Sequence, residues 1–522
     1  MENYIVQFPL VTEKWQEDVI DRRLEVLRGI FNKFQSKMLK IYRYAEQTKR
    51  FNEVKGTVKD KKNFFEHEYT ITITTNRGKS LEIYPFTKFG FISYIQKFGE
   101  TYKKCGVNAI MLGYIAQTCW QSWETFLYKK GKKIHFKRRG EMDGYKVRHM
   151  KETIPGFNMS RFGNEMIGIN LNGKMRGLTK ILYLPFKVNH ESEYEMQALG
   201  DKIVNIAIRR EVIRGKRRYF VQFTFEGQKP MKQRKLGKGD VGIDLGVSTV
   251  AICSNNNVKA FELAKNTYTR VDDMEREIRR LMRYMDRSRR AANPNNYNAD
   301  GTIWKGKKTW KLSKRYFKAK DKLKELYRRQ RVKRKLSHIE LANELLSYGN
   351  NFKVEKNSVN GWAKKAKEDK VDPNTGKHRH KKRNGKVIAN RAPAMLITIL
   401  QNKVVSLGGT FTKLETKNTA GTKFDFTAEN FRDKTGLGIR NVILSNGDKH
   451  TRDLMAAFNI QHLESDDKAD KVSNYNIGKM WEDYPKFKQM EQDFIRSMLN
   501  SGEKIHKSMG INHREYGYLV AD

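Results

Sequence analysis

The sequence predicts a multidomain α+β protein, with an antiparallel β-barrel that carries a helical insertion, followed by an α/β domain that contains inserted basic helices. Three observations lead to this fold class. The 522 residues exceed one ordinary domain. Residues 12–130 mostly show the three- and four-residue apolar spacing of helices, whereas residues 155–228 show the alternation of strands. From residue 236 onward, predicted strands and helices follow one another as in an α/β domain.

The charge of the chain indicates a polyanionic partner. Lys and Arg number 104 against 58 Asp and Glu, which gives a formal net charge of +46. So large an excess makes a compact protein repel itself unless a polyanion compensates it. The basic residues run through the whole chain among 11% aromatic residues, which favours nucleic acid over a membrane surface. No apolar run approaches the ~20 residues of a membrane span, and the N-terminus lacks signal-peptide blocks. We expect a cytoplasmic protein.

The first 235 residues are predicted to hold the helical insertion and the barrel. In chain order we expect a strand at 4–10, a helix at 13–49, a hairpin at 68–83, helices at 88–130, and strands at 181–188, 203–212 and 218–225. The first strand is expected to join the barrel. Between these elements lies a basic stretch that ends in Lys137, Arg138 and Arg139. These three side chains are candidates for contact with nucleic acid.

Two basic helices are predicted inside the α/β domain, within residues 267–346. The second, at about 311–346, contains a dense run of cations, namely Arg328, Arg329, Arg331, Lys333, Arg334 and Lys335. Such a run can be an ordinary solvated face. Its density favours contact with phosphates instead.

One acidic residue, Asp244, lies in the apolar run from Val241 to Ile252. We predict a buried strand here. A carboxylate in such a strand is costly unless something pairs with it, and a metal ion is the usual partner. Gly246 follows closely, and its missing side chain would let a phosphodiester approach the backbone.

Two later segments each place an acid beside a predicted element of the same domain. Glu355 ends a short strand at 351–355, and Asp453 opens a helix whose Ala456 and Ala457 would pack closely on a sheet. A helix and a strand lie between them. This order of strands, helices and acids is the layout of a ribonuclease-H-like domain, where chain-distant acids meet at one sheet edge. Taken singly, Glu355 could be a surface ion-pair partner and Asp453 a helix N-cap.

Three converging carboxylates suit metal-dependent hydrolysis of a phosphodiester. Two Mg ions about 4 Å apart can activate a water and stabilise the leaving oxygen, and Mg prefers hard oxygen ligands. We predict that Asp244 bridges both ions and that Glu355 and Asp453 each complete one. The three cysteines are far apart and cannot build a four-thiolate zinc site.

At these residues the chain resembles the TnpB family of transposon-encoded RNA-guided DNA endonucleases and the compact type V CRISPR effectors related to it. Gly242-Ile-Asp-Leu-Gly-Val resembles the first RuvC motif of that family. Val354-Glu, followed by Asn360-Gly-Trp-Ala-Lys-Lys, resembles the second, and Arg452-Asp-Leu-Met-Ala-Ala-Phe-Asn-Ile the third. The resemblance is strong over 240–463 and weaker over 1–235.

The resemblance implies a domain order and partners. Residues 1–11 and 131–235 would form a wedge-type barrel, 12–130 a helical recognition domain, 236–416 the RuvC nuclease with its helical insertion, 417–450 a target-nucleic-acid lid, 451–464 the last nuclease helix, and 465–522 a C-terminal tail without an assigned role. The partners would be a guide RNA, of the omega or CRISPR type, and target DNA beside a short recognised motif. The protein would act as a monomer or as a homodimer on one RNA, in the nucleoid of a bacterium or archaeon.

Two further expectations come from comparing the lid with the family. Many relatives carry a four-cysteine zinc ribbon there, whereas Lys417 to Lys449 contains no cysteine, so no zinc is expected. Arg440 in this segment resembles an arginine near the family's active site and is the fourth catalytic candidate. We therefore predict an Mg-dependent, RNA-guided DNA endonuclease. A nuclease-inactive guided repressor and an unguided transposon-associated nuclease remain as alternatives.

Overall fold

The chain divides into two compact units, Met1–Lys232 and Gln233–Asp522. The computed structural model describes residues 3–75, 78–103, 105–129, 131, 133–147, 165–170, 181–230, 234–265, 271–306, 308–364, 384–433, 436, 438–468 and 470–520. Across those ranges, no helix combines the length and the apolar character that crossing a membrane requires. Both units mix helices and strands, which confirms the predicted α and β content.

The first unit combines long helices with antiparallel strands. Its elements are β1 (Asn3–Pro9), α1 (Lys14–Glu46), α2 (Lys49–Val54), α3 (Val58–Asn63), β2 (Ile71–Thr74), β3 (Ser80–Ile83), α4 (Lys88–Gln96), α5 (Gly99–Lys103), α6 (Ala109–Tyr128), β4 (Gly144–Val147), β5 (Glu165–Asn170), β6 (Ile181–Phe186), α7 (Glu193–Gly200), β7 (Ile203–Ile213) and β8 (Lys216–Glu226). The predicted helix at 13–49 and the predicted hairpin at 68–83 are present. The short helix α7 lies within the region predicted to be all β.

The strands of this unit form a four-stranded antiparallel sheet in the order β1-β8-β7-β4, and a separate pair, β5-β6. The N-terminal strand joins the sheet as predicted, because β1 pairs with β8 along its whole length. Arg214 and Gly215 have φ of 50° and 77°, the positive values that a two-residue hairpin turn needs. The described strands do not by themselves establish a closed barrel, and residues 155–164 and 171–180 of the predicted β pattern lie outside the described residues.

The second unit is built on one mixed sheet. Its elements are β9 (Asp240–Leu245), β10 (Thr249–Ser254), β11 (Asn257–Glu262), α8 (Val271–Ala292), α9 (Lys314–Leu345), β12 (Asn351–Glu355), α10 (Val359–Ala363), α11 (Asn384–Arg391), α12 (Pro393–Ser406), β13 (Thr410–Leu414), α13 (Thr416–Thr419), β14 (Phe424–Asp425), β15 (Asn430–Phe431), β16 (Asn441–Ile443), β17 (Lys449–Thr451), α14 (Arg452–Gln461), α15 (Ile477–Asn500) and α16 (His513–Tyr516). The sheet order is β11-β10-β9-β12-β13. β12 runs parallel to both β9 and β13, whereas β9, β10 and β11 are antiparallel.

The apolar run that the sequence predicts as one strand is two strands joined by a tight turn. β9 ends at Leu245 and β10 begins at Thr249. The Gly246 N–H donates to the Thr249 carbonyl oxygen at 2.9 Å, and a Cβ on Gly246 would lie 2.9 Å from that same oxygen. The turn itself therefore requires glycine at this position. The turn alone explains why residue 246 is a glycine, without the predicted approach of a phosphodiester.

Alternation along β9 separates its two faces. Ile243 and Leu245 lie in the hydrophobic core that also contains residues of α9 and α12. Gly242 and Asp244 therefore face the other way, where α14 packs. A Cβ on Gly242 would lie 2.0 Å from the carbonyl oxygen of Ala457. This close approach packs the middle of α14 against the strand that carries Asp244.

The segment after α14, for which the sequence indicated only weak helical character, contains a long helix. α15 spans 24 residues and buries Met480, Tyr484, Phe487, Glu491 and Ile495. Three of the apolar ones, Met480, Tyr484 and Phe487, belong to the same hydrophobic core as α14. The helix is thus an integral part of the second unit.

Candidate active site

Three carboxylates from distant parts of the chain lie at one end of the central sheet. Asp244 is the fifth residue of β9, and Glu355 is the last residue of β12. In the parallel pairing of these strands Val354 is opposite Ile243, which places Glu355 beside Asp244. Asp453 is the second residue of α14, which packs on the same face. Both other acids are near enough to act electrostatically on Asp244.

Asp244 has an unfavourable environment for its negative charge. Burial is the main cause that raises the pKa of its carboxyl group well above the ordinary value, and the charges of Asp453 and Glu355 raise it further. Arg452 and Arg440 oppose this shift. The Asp244 carboxylate accepts no hydrogen bond from the described residues, although the residue as a whole is partly exposed. A cation beside this carboxylate would remove the penalty.

Glu355 is held by two donors from the segment that follows β13. Its side chain is buried, with 6% exposure. Oε1 accepts hydrogen bonds from the Thr419 hydroxyl at 2.9 Å and from the Gly421 N–H at 2.8 Å. Burial raises the pKa of Glu355, and these hydrogen bonds oppose the shift. The alternative that Glu355 is a surface ion-pair partner is therefore wrong.

Asp453 is paired with arginines. Arg452 donates to its Oδ1 from Nε at 3.0 Å and from Nη2 at 2.9 Å, and Arg440 Nη1 lies 3.8 Å from its Oδ2. The N-cap of α14 is Thr451, so the alternative that Asp453 is the cap is wrong. The structure thus places Arg440, predicted only from resemblance, against one of the three acids.

The three carboxylates suit a hard divalent cation chemically, although their side chains are not arranged around a common metal position. Within the described ranges, no three His, Cys, Asp or Glu side chains are already arranged around one metal position. The reason is visible in the contacts, because Asp453 is turned to its arginines and Glu355 Oε1 to its two donors. Carboxylate oxygens are the ligands that Mg prefers. The unsatisfied charge of Asp244 is what a cation would neutralise.

Several residues that shape this site were missed at the sequence level. Thr419 and Gly421 lie at the start of the segment predicted as a lid, and both donate hydrogen bonds to Glu355. Arg452, next to Asp453, is the first residue of the third motif, and no role is predicted for it from the sequence. Thr419 and Gly421 lie in a polar stretch without periodicity, so the sequence held no signal for them. An arginine adjacent to a candidate ligand is a signal that could have been used.

The six cations predicted on α9 divide into two groups. Arg329, Arg331 and Lys335 are exposed. Arg328, by contrast, pairs with Glu325 at 2.7 Å. Arg334 donates to the Ala389 carbonyl oxygen at 2.5 Å, and Lys333 is partly buried. Arg329, Arg331 and Lys335 are exposed and can contact a polyanion. Arg328 and Arg334 instead bind partners within the protein.

The basic stretch of the first unit is anchored by its backbone. Lys137 exchanges hydrogen bonds with the Asn32 side chain, at 2.9 Å in both directions, and its ammonium lies 5.2 Å from the centre of the Phe31 ring. Arg138 and Arg139 are exposed. Their side chains make no ion pair with a described carboxylate, so both are available for contact with phosphate.

Comparisons with known proteins give only weak likenesses. No family model and no curated protein matches the chain. The chain is similar to the solved "Cryo-EM structure of the Cas12f1-sgRNA-target DNA complex", with 12% identity and a TM-score of 0.42 over 88% of this chain and 98% of that chain. It is also similar to the "Cryo-EM structure of CRISPR-Cas12f Ternary Complex", with 12% identity and a TM-score of 0.28 over 86% and 82%. At these values neither likeness supports a functional inference, which has to come from the side chains.

Proposed function

We propose that the protein is an RNA-guided DNA endonuclease that hydrolyses phosphodiester bonds at the carboxylate site of the second unit. One observation carries the nuclease assignment. Asp244 is held, without a hydrogen-bond donor among the described residues, beside two further acids at one sheet end. Proteins seldom keep such a charge unless a cation or a reaction uses it.

The proposed cofactor is a pair of Mg ions held by Asp244, Glu355 and Asp453. Bound there, the ions would supply positive charge to activate a water and to stabilise the leaving oxygen. Glu355 Oε1 is fixed by Thr419 and Gly421, so the carboxylate keeps one orientation. Asp453 has to give up part of its pairing with Arg452 to act as a ligand. The released arginine, together with Arg440, would then lie where a phosphate arrives.

The guide and the target follow from the motif resemblance and from charge. The three RuvC-like motifs resemble those of RNA-guided nucleases, and the net charge of +46 is larger than a short DNA duplex site needs. In such proteins base pairing with the guide reads the target sequence, and the protein contacts the backbone and a short adjacent motif. The exposed cations Arg329, Arg331, Arg138 and Arg139 are the proposed backbone contacts.

The experiment is to purify the protein from cells that express its genomic locus and to sequence the RNA that copurifies. The reconstituted complex should cleave DNA that matches the guide. Cleavage should stop when EDTA is added and should resume when excess Mg is supplied. Asp244→Asn should remove cleavage while RNA and target binding stay near wild type. Cleavage without any bound RNA of defined length would instead identify an unguided nuclease.

The guided repressor is distinguished by the same preparation. It would bind the matching target in the presence of Mg without cutting either strand. The presence and proximity of all three acids favour the nuclease, since a repressor has no need to keep an unsatisfied carboxylate at this position.

A further inference from the structure

A buried polar network lies directly behind the start of α14. Its centre is Glu491 of α15, which is 2% exposed. Glu491 Oε1 accepts the backbone N–H of Thr451 at 2.8 Å and the Thr451 hydroxyl at 2.5 Å. Glu491 Oε2 lies 2.5 Å from His450 Nδ1. A buried carboxylate with this many partners is well satisfied, in contrast to Asp244.

The proton positions of the network can be counted. Tyr484 donates its only hydroxyl proton to Asp448 Oδ2 at 2.6 Å, so His450 Nε2 must donate to the Tyr484 oxygen at 2.7 Å. Both donors of Thr451 are used by Glu491 Oε1. One further proton lies between His450 Nδ1 and Glu491 Oε2. The network is therefore complete only while residue 491 accepts twice from Thr451 and shares a proton with His450.

The network replaces the local cap of α14. Thr451 is the N-cap residue, yet its hydroxyl makes no capping hydrogen bond to the helix. A threonine at this position normally accepts from the first turn. Here its hydroxyl and its N–H are both drawn to a residue 40 positions later in the chain. The direction in which α14 leaves β17 is thus set by α15, and Asp453 lies two residues after Thr451.

The last residues of the chain support the other side of the site. A Cβ on Gly510 would lie 2.6 Å from the Arg440 Cβ, and Gly510 has φ of 75°. The Tyr516 hydroxyl donates to the Asn441 side chain at 2.9 Å. The region after residue 476 therefore contacts the chain next to Asp453 and also next to Arg440.

We propose that Glu491 is a positioning residue for the carboxylate site, and that the C-terminal region is part of the nuclease unit instead of an appended tail. Glu491 acts through Thr451 to fix the start of α14 and so the place of Asp453. This inference rests on the proposed function, because it concerns how well the three acids hold divalent metal.

The test compares two substitutions of nearly equal size. Glu491→Gln keeps every hydrogen bond, since the amide oxygen accepts from Thr451 and the amide N–H donates to neutral His450. Glu491→Leu removes all three. Mn²⁺ binding is measured by electron paramagnetic resonance on the protein without nucleic acid, and DNA cleavage is measured in parallel. We expect Glu491→Leu to bind Mn²⁺ about 10- to 100-fold more weakly, as losses of supporting residues do, and Glu491→Gln to stay close to wild type.

A stability control separates positioning from simple unfolding. Leu400→Ala truncates a fully buried residue of α12 in the core on the opposite face of the sheet. It should cost about 2–5 kcal/mol of stability and leave Mn²⁺ affinity unchanged. If Leu400→Ala weakens Mn²⁺ binding as much as Glu491→Leu does, or if Glu491→Leu binds like wild type, the positioning role is overturned.

Two remaining outcomes are also decisive. If the wild-type protein binds no Mn²⁺, the proposed function fails and the positioning role fails with it. If the wild-type protein binds Mn²⁺ and Glu491→Leu binds it equally well, only the positioning role is overturned. If Glu491→Leu does not fold, Thr451→Val replaces it. That variant loses only the hydroxyl bond to Glu491 and should weaken Mn²⁺ binding about tenfold, and an unchanged affinity would contradict the proposal.

Discussion

Two regions of the second unit place an aspartate side chain in opposite environments. Asp425, in the β14 region, is 1% exposed, and its carboxylate accepts four hydrogen bonds, two from Thr427 and two from Ser445. Burial alone raises its pKa, but these donors lower it more, so the pKa lies below the ordinary value. Asp244, at the end of β9, has no such donors among the described residues, and its pKa is well above the ordinary value.

The difference separates a structural acid from a functional one. Asp425 stabilises the fold as an anion, because the protein supplies every partner that water would have supplied. Asp244 is unfavourable for the fold as an anion, because two acids and little water surround it. A protein that keeps such a residue gives up stability for a binding or catalytic role. The predictions below compare the two kinds of acid directly.

The largest expected effect is on cleavage. Asp244→Asn should lower the rate of DNA cleavage roughly a thousandfold, the upper range for losing one preorganised electrostatic group. The matched control is Asp240→Asn on the same strand, since Asp240 is already paired with Lys353 at 2.8 Å. The control should cleave within a few-fold of wild type. Equal losses in both variants would show that Asp244 is merely structural.

The next effect concerns the residue that orients Glu355. Thr419→Val keeps the shape of the side chain and removes its hydrogen bond to Glu355 Oε1. We expect metal affinity and cleavage to fall about 10- to 100-fold, as is usual for supporting groups of a metal site. Thr427→Val makes the same change beside Asp425. It should lower the melting temperature and leave the metal requirement of cleavage unchanged.

The two aspartates should respond to neutralisation with opposite signs in stability. Asp425→Asn replaces a carboxylate oxygen that accepts hydrogen bonds from N–H and O–H donors. It should lower the free energy of unfolding by about 1–3 kcal/mol. Asp244→Asn removes a charge that the fold disfavours. It should stabilise the metal-free protein, because asparagine carries no charge that burial and the two neighbouring acids would disfavour. Thermal unfolding in EDTA measures both, and a destabilised Asp244→Asn would contradict the comparison.

The raised pKa of Asp244 also gives a pH dependence. Between its ordinary and raised pKa, the folded protein holds a proton that the unfolded chain has lost, so stability without metal should fall as pH rises through that window. Metal must displace this proton, so Mn²⁺ affinity should rise by up to about tenfold per pH unit in the same window. Asp244→Asn should remove the stability trend. A trend that persists in the variant would assign it to other groups.

The smallest effect applies the same comparison to the cations of α9. Arg329 and Arg331 are exposed, whereas Arg328 and Arg334 have protein partners. Replacing Arg329 and Arg331 with Ala should reduce the slope of log K against log salt by about 0.7–0.9 for each phosphate that the protein no longer neutralises. Replacing Arg328 and Arg334 should lower thermal stability and change the slope less. Equal slopes for wild type and Arg329/Arg331 variants would remove α9 from the proposed interface.

The elements of the site could be predicted where spacing and residue type act locally. The small residues Ala456 and Ala457 indicated close packing of their helix on a sheet, and the structure shows this packing, because a Cβ on Gly242 of β9 would meet the α14 backbone at 2.0 Å. Asp244 could be singled out because it interrupts an apolar run, and Glu355 and Asp453 because each lies at the end of a predicted element of the same domain. The boundary between β9 and β10 at Gly246 was missed. Small and β-branched residues flank this turn, so the sequence there reads as one continuous apolar strand.

The supporting residues could not be predicted, because their partners are distant in sequence. Thr419 meets Glu355 across 64 positions, and Glu491 meets Thr451 across 40. One signal for Glu491 was present: it follows Met480, Tyr484 and Phe487 at helical spacing, so an acid occupies a core position of the helix. The helix itself was underestimated, because its many charged residues and the internal Pro485 hide the apolar stripe.

The most direct measurement is Mn²⁺ binding to the purified protein without nucleic acid, followed by electron paramagnetic resonance for wild type, Asp244→Asn and Asp240→Asn. Wild type and Asp240→Asn should each bind Mn²⁺ with the same affinity, and Asp244→Asn should lose at least one bound ion per chain. If wild type binds none, or if Asp244→Asn binds as wild type does, the three acids are not a metal site.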